Sequence, residues 1–174
     1  MNLLNFEFKA RAKDLKKLEE KLLELKPVFK GEDHQTDTYF NVPKGRLKLR
    51  EGNIENALIY YERPDTAAAK ASDILLYKHI PETSLKKILV KSNGIKAVVD
   101  KKRRIYFIEN IKFHFDTLNE LGTFIEVEAI DENGQRTMEE LEKQCKKYFT
   151  FFGLRESDYI SRSYCDLILD RLNE

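Results

Sequence analysis

The chain has 174 residues, 41 % hydrophobic and 35 % charged, and its 31 basic and 30 acidic side chains leave a formal net charge of +1. That length can bury a substantial core, and the hydrophobic content, with only seven glycines and four prolines, excludes a disordered or low-complexity chain. Near-neutral charge argues against nucleic acid held by bulk electrostatics, and no apolar run is long enough to span a membrane as a helix.

The start, Met1 to Asn5, has neither a basic cluster nor an apolar run, so no secretory signal is expected. Cys145 and Cys165 lack the spacing of a metal site or a redox pair. The expectation is a cytoplasmic globular protein, one domain over residues 1–174, with reduced thiols and neither nucleic-acid nor membrane partners.

Residues 3–10 alternate with period two, setting Leu4, Phe6, Phe8 and Ala10 against Asn5, Glu7 and Lys9, which predicts a half-buried strand. Asp14 caps a predicted helix in which Leu15, Leu18, Leu22 and Leu25 fall at helical spacing, stopped by Pro27. Residues 34–51 read as two strands around the turn Pro43-Lys44-Gly45, and Ala57–Glu62 as a third. Arg63-Pro64-Asp65 and the weakly patterned Thr66–Ser72 read as a mobile loop. A strand near 73–80, a helix near 82–91 and a turn at Asn93-Gly94 follow.

Strands are predicted over 95–109, 111–117 and 123–131, then a helix opened by Thr137 with Glu139-Glu140 in a capping arrangement, and a last helix near 157–172. Phe149, Phe151, Phe152 and Leu154 are expected to pack the end of the Thr137 helix. Several connections are too short for parallel crossovers, so the strands are expected to pair antiparallel. The fold class is α+β: an eight-stranded antiparallel barrel with helices packed outside.

Alternation also sorts the charges. Lys48 and Arg50 lie opposite Leu47 and Leu49, His114 and Asp116 opposite Phe113 and Phe115, and Glu126 and Glu128 opposite Ile125 and Val127. Such faces can meet solvent, as antiparallel sheets allow. Amphipathic helices, however, need apolar sheet faces to cover, which turns the charged faces into the bore. Mixed charge there is costly without a ligand. Basic and acidic groups on separate strands suit a polyphosphate bridged by a divalent cation.

Taken in order, Asn5-Phe6-Glu7-Phe8-Lys9, Gln35-Thr36-Asp37-Thr38-Tyr39-Phe40, Gly45-Arg46-Leu47-Lys48-Leu49-Arg50, Tyr60-Tyr61-Glu62-Arg63-Pro64 and Lys101-Lys102-Arg103 form an ordered motif set. It continues through His114-Phe115-Asp116, the run Leu121 to Glu128, Phe152-Gly153-Leu154 and Ser163-Tyr164-Cys165-Asp166-Leu167. The set resembles the CYTH superfamily of triphosphate tunnel metalloenzymes, most of all the bacterial class IV adenylyl cyclase branch. The resemblance implies Glu7, Glu126 and Glu128 as ligands of Mg2+ or Mn2+, with Asp116 assisting. It implies Lys9, Lys48, Arg50, Arg63, Lys101 and Arg103 as phosphate ligands. Glu7, Lys9, Asp116, Glu126 and Glu128 would form the catalytic set. Two positions depart from the family pattern. Asn5 replaces the first glutamate of Glu-x-Glu-x-Lys, removing one negative charge, and Arg63 stands where many members have lysine.

In Lys101-Lys102-Arg103-Arg104 the resemblance turns Lys101 and Arg103 inward, leaving Arg104 outside. His114 reads as a hydrogen-bonding tunnel wall, His34 and His79 as surface residues, and Cys145 as core. Tyr39 reads as strand packing or as a tunnel closure, and Lys70 and Ser72 as part of the loop. The implied activity is a class IV-like adenylate cyclase making cyclic AMP and pyrophosphate from ATP. The alternatives are a triphosphatase acting on an inorganic or organic triphosphate such as thiamine triphosphate, or a non-catalytic polyphosphate or nucleotide binder. A homodimer is compatible with the sequence.

Overall fold

The computed structural model describes residues 2–62 and 70–174. Alternating segments form β1 (Asn2–Arg11), β2 (Val28–Phe40), β3 (Arg46–Glu51), β4 (Ala57–Glu62), β5 (Lys70–Lys78), β6 (Ile95–Ile108), β7 (Ile111–Leu118) and β8 (Gly122–Asp131). They close into an antiparallel barrel in the order β1-β5-β4-β3-β2-β6-β7-β8, with β1 bonded to both β5 and β8. Closure removes the sheet edges that would otherwise expose unpaired backbone groups.

The strand period then divides each strand between bore and shell. Phe6, Phe8, Ala10, Phe113, Phe115, Ile125, Val127 and Ala129 point outward and are buried against the helices. The helices are α1 (Leu15–Leu23), α2 (Thr83–Asn93), α3 (Met138–Phe151) and α4 (Tyr164–Leu172), and α1 and α3 cover these side chains. Leu22 of α1 and Leu141, Cys145 and Tyr148 of α3 complete this layer. Each such large side chain contributes about 1.5–3 kcal/mol of transfer free energy. Tyr164, Cys165 and Ile168 of α4 pack instead on Val99 and Phe124, which share the inward phase of Lys101 and Glu126. So α4 covers part of the bore rather than the outer shell. On β5 the outward Leu75 and Tyr77 stay exposed.

Local signals explain the ends. Thr137 and Glu140 exchange the reciprocal hydrogen bonds of a capping box at the start of α3. Gly45 turns β2 into β3 at φ +68°, where an added Cβ would lie 2.7 Å from the Tyr60 hydroxyl oxygen.

Four boundaries differ from the sequence reading. β2 begins at Val28 rather than 34, because its first half is held by the 14-residue β6. β5 begins at Lys70, so Lys70 and Ser72 belong to a strand paired with β1, while Thr66–Ala69 of the expected loop, like Arg63, lies outside the described residues. α1 ends at Leu23, and Leu25 is exposed. The expected helix over 157–172 is broken. A 3-10 turn, Glu156–Asp158, is followed by extended chain in which the Ile160 amide donates to the Lys9 carbonyl, and α4 starts only where Ser163 and Asp166 cap it. Backbone bonds to β1 outcompete helical propensity there.

Candidate active site

The bore encloses a cavity of about 860 Å³, a volume typical of small-molecule sites. Its wall has three chemically distinct sectors.

The basic sector comes from β3, β6 and β7. Asp37, at an inward position of β2, gathers three cations. Arg50 donates to it through Nε and Nη2 at 2.9 Å each, Lys101 Nζ at 2.9 Å and Lys48 Nζ at 3.1 Å. Burial raises the Asp37 pKa, but Arg50, Lys101 and Lys48 overcome it and hold the carboxyl well below the usual range. Burial depresses the lysines: Lys101 falls to about 7 and Lys48 to about 8, each partly supported by Asp37. Arg103 donates to both oxygens of Asp116 at 2.7 and 2.6 Å and to Glu126 at 2.7 Å. Lys112 is bound to Glu55, which also accepts from Arg50 at 3.3 Å. Burial works against ionised Glu55, yet Lys112 and Arg50 bring it down to about 2.

The acidic sector lies on β1 and β8, where Glu7, Glu126 and Glu128 border the cavity and Glu7 pairs in register with Glu128. The Glu128 carboxyl is pushed up to about 7, first by burial, then by the charges of Glu7 and Glu126. A buried carboxyl raised by acidic neighbours belongs to a set that a divalent cation would relieve, and hard oxygen donors fit Mg2+ or Mn2+. The third sector is apolar: Ala57, Ile59 and Tyr61 of β4 with Ile74 and Leu76 of β5.

The bore thus brings together Glu7, Lys9, Lys48, Arg50, Lys101, Arg103, Glu126 and Glu128. Asp116 is fully buried behind them, both oxygens taken by Arg103 and one also accepting from Tyr164 at 2.7 Å. Its position is that of a residue orienting Arg103. Arg63 lies outside the described residues. Lys9 sits with Nζ 3.8 Å from the centre of the Tyr164 ring. Arg104 points outward and binds Glu19 of α1. His34 is a surface residue paired with Asp100, whereas His79, read as surface, is half-buried at the cavity wall and contacts the Arg50 carbonyl. Tyr39 is buried and lines the bore.

Sequence reading missed the anchoring roles of Asp37, Glu55 and Tyr164 and the cation Lys112. Parity carried a signal for two of them. Lys112 shares the phase of His114 and Asp116, and Asp37 shares that of Gln35 and Tyr39. Glu55 sits in the β3–β4 connection, where no periodicity operates.

A family model described as the CYTH domain matches residues 3–164. The chain belongs to the CYTH family. The family is one of metal-dependent triphosphate-tunnel enzymes. The CYTH chain is similar in structure to PH1012 from Pyrococcus horikoshii OT3, with 26 % identity and TM-score 0.79 over 94 % of this chain and 98 % of that one. It resembles in fold a Vibrio parahaemolyticus protein whose name proposes an adenylate cyclase, with 18 % identity and TM-score 0.79 over 95 % and 98 % of the two chains. HpAC1 from Hippeastrum, described as having a dominant triphosphatase activity, shares the fold at 11 % identity and TM-score 0.64, covering 99 % and 96 %. Among curated proteins, none matches this chain in sequence. No helix among the described residues is long and apolar enough to cross a membrane.

Proposed function

We propose that this CYTH domain binds a nucleoside triphosphate with a divalent cation and cyclises it, as an adenylate cyclase turning ATP into cyclic AMP and pyrophosphate. The observation that carries the reading is the convergence of Lys48, Arg50, Lys101 and Arg103 on one cavity whose other face carries Glu7, Glu126 and Glu128. Charge-assisted contacts from the four cations hold phosphate oxygens, each worth about 1.5–3 kcal/mol. Asp37 and Asp116 fix those cations beforehand, so little reorganisation accompanies binding. When bound, a cation on Glu7, Glu126 and Glu128 supplies charge neutralisation to the phosphates. The residues of the bore orient the ribose 3′ oxygen against the α-phosphorus, and positioning lowers the barrier. The apolar sector of Ala57, Ile59, Tyr61, Ile74 and Leu76 supports an organic triphosphate over an inorganic one, because it offers a base a surface without charge.

Product identification tests this. Purified protein is incubated with Mg2+ or Mn2+ and, separately, ATP, thiamine triphosphate and tripolyphosphate. Cyclic AMP with pyrophosphate is the expected result. Release of orthophosphate replaces the cyclase reading with a triphosphatase, the activity described for HpAC1. Protection against unfolding without turnover reduces it to a binder.

A further inference from the structure

β7 and β8 run side by side with His114 directly opposite Glu126, and Glu128 takes the next inward position on β8. One ligand atom from each of these three side chains can be chosen so that all lie within 4.8 Å of one another. His114 is only 1 % exposed, and neither ring nitrogen has a hydrogen-bond partner among the described residues. Its Nδ1 stands 3.6 Å from Glu128 Oε1, beyond hydrogen-bond length. A buried imidazole with both nitrogens unmet is expensive unless something else meets them. A second unpartnered group lies at the same acidic sector. Asn5 Oδ1 is buried beside Glu7, a neutral oxygen where the family motif carries glutamate.

We infer that His114 joins Glu126 and Glu128 in a mixed nitrogen–oxygen cation site, and that this site selects a transition-metal ion of the Mn2+ type over Mg2+. The inference rests on the proposed use of a divalent cation by the tunnel. Mg2+ favours all-oxygen coordination and gives up water reluctantly, whereas imidazole donors suit transition metals. Replacing a carboxylate by Asn5 acts in the same direction. It lowers the negative charge on which a hard cation depends, and leaves more of the discrimination to the nitrogen donor.

The test follows Mn2+ bound to the unaltered protein without nucleotide, using electron paramagnetic resonance with echo modulation to detect nitrogen bonded to the ion. The expected spectrum shows coordinated nitrogen, and selective 15N labelling of histidine changes its pattern. Calorimetric titration should give a preference for Mn2+ over Mg2+ of about tenfold or more, the least that losing even an outer partner of a metal ligand costs. His114→Gln should remove the nitrogen signal and most of that preference, with Mg2+ affinity little changed. His79→Gln, at the other histidine near the cavity, should keep both. Should His114→Gln fail to fold, the histidine-labelled spectrum of the unaltered protein decides alone. Bound Mn2+ without a histidine nitrogen signal, or a signal that survives His114→Gln, overturns the inference and leaves the proposed function standing. Failure to bind either ion, with or without tripolyphosphate, overturns the reading beneath it.

Discussion

The basic and acidic sectors of the bore are built from adjacent strands by the same alternation, yet they are balanced differently. On the basic side every cation named above has an internal carboxylate: Asp37 for Lys48, Arg50 and Lys101, Asp116 for Arg103, Glu55 for Lys112. On the acidic side, burial and the charges of Glu7 and Glu126 push Glu128 up to about 7. One sector is electrostatically complete before ligand arrives. In the other, Glu126 leans on Arg103 of the basic side and Glu128 stays raised by its acidic neighbours. On the proposed function, the difference sets an order of dependence: phosphate recognition would be preorganised by the protein, and a bound cation would relieve repulsion within it.

The largest expected effect breaks the basic sector. Arg103→Ala leaves the fully buried Asp116 and the adjacent Glu126 without their shared partner. Loss of one member of a buried ion pair costs about 3–5 kcal/mol, readable in urea unfolding. Triphosphate affinity should fall by about ten- to a hundredfold or more in calorimetry, since one desolvated charge-assisted contact disappears. Unchanged affinity would remove Arg103 from phosphate recognition.

Glu128→Gln sharpens the contrast from the acidic side. Removing one of several mutually repelling carboxylates should raise the melting temperature of the cation-free protein at pH 8, while divalent affinity falls by about tenfold or more. Differential scanning fluorimetry with and without cation checks both. A variant less stable than the parent without cation would show that repulsion does not dominate this sector.

pH separates the two lysines from the arginines. Lys101 titrates at about 7 and Lys48 at about 8, depressed chiefly by burial, so the free protein loses their charges as pH rises through those values. Triphosphate affinity should therefore weaken above about pH 7, by at most about tenfold per pH unit for each lysine. The stability sign is opposite. Both lysines are more easily protonated in the unfolded chain, so their cost to folding is full below the folded value and fades as pH climbs toward 10.5. Affinity flat from pH 6 to pH 9 would place phosphate on the arginines alone.

The smallest effect is the control. Arg104→Ala, outside the barrel and 40 % exposed at its side chain, loses its pairs with Glu19 and Glu32. It should cost about 0–1 kcal/mol of stability and leave triphosphate binding unchanged. A loss of binding as large as that of Arg103→Ala would mean that the register of β6 is reversed.

Strand parity, caps and turns were legible in the sequence because they are local. Phe6-Glu7-Phe8-Lys9 or Phe113-His114-Phe115-Asp116 can alternate in only one way, and Thr137 with Glu140 caps a helix wherever it sits. Those rules sufficed to sort nearly every charged face, and the ordered motifs sufficed for the family. What they left open was decided by contacts between distant segments. The neighbours of β1 are β5 and β8, and β2 lies beside β6, pairings that follow from closing the barrel rather than from chain order. Strand pairing sets Asp37 against Lys101, the docking of α4 puts Tyr164 on Asp116, and the closed barrel carries Glu55 from a connecting loop to Lys112. Periodicity states which way a side chain points. Which charges it meets depends on the strand brought beside it, and that is fixed by burying the apolar shell and pairing every backbone edge at once.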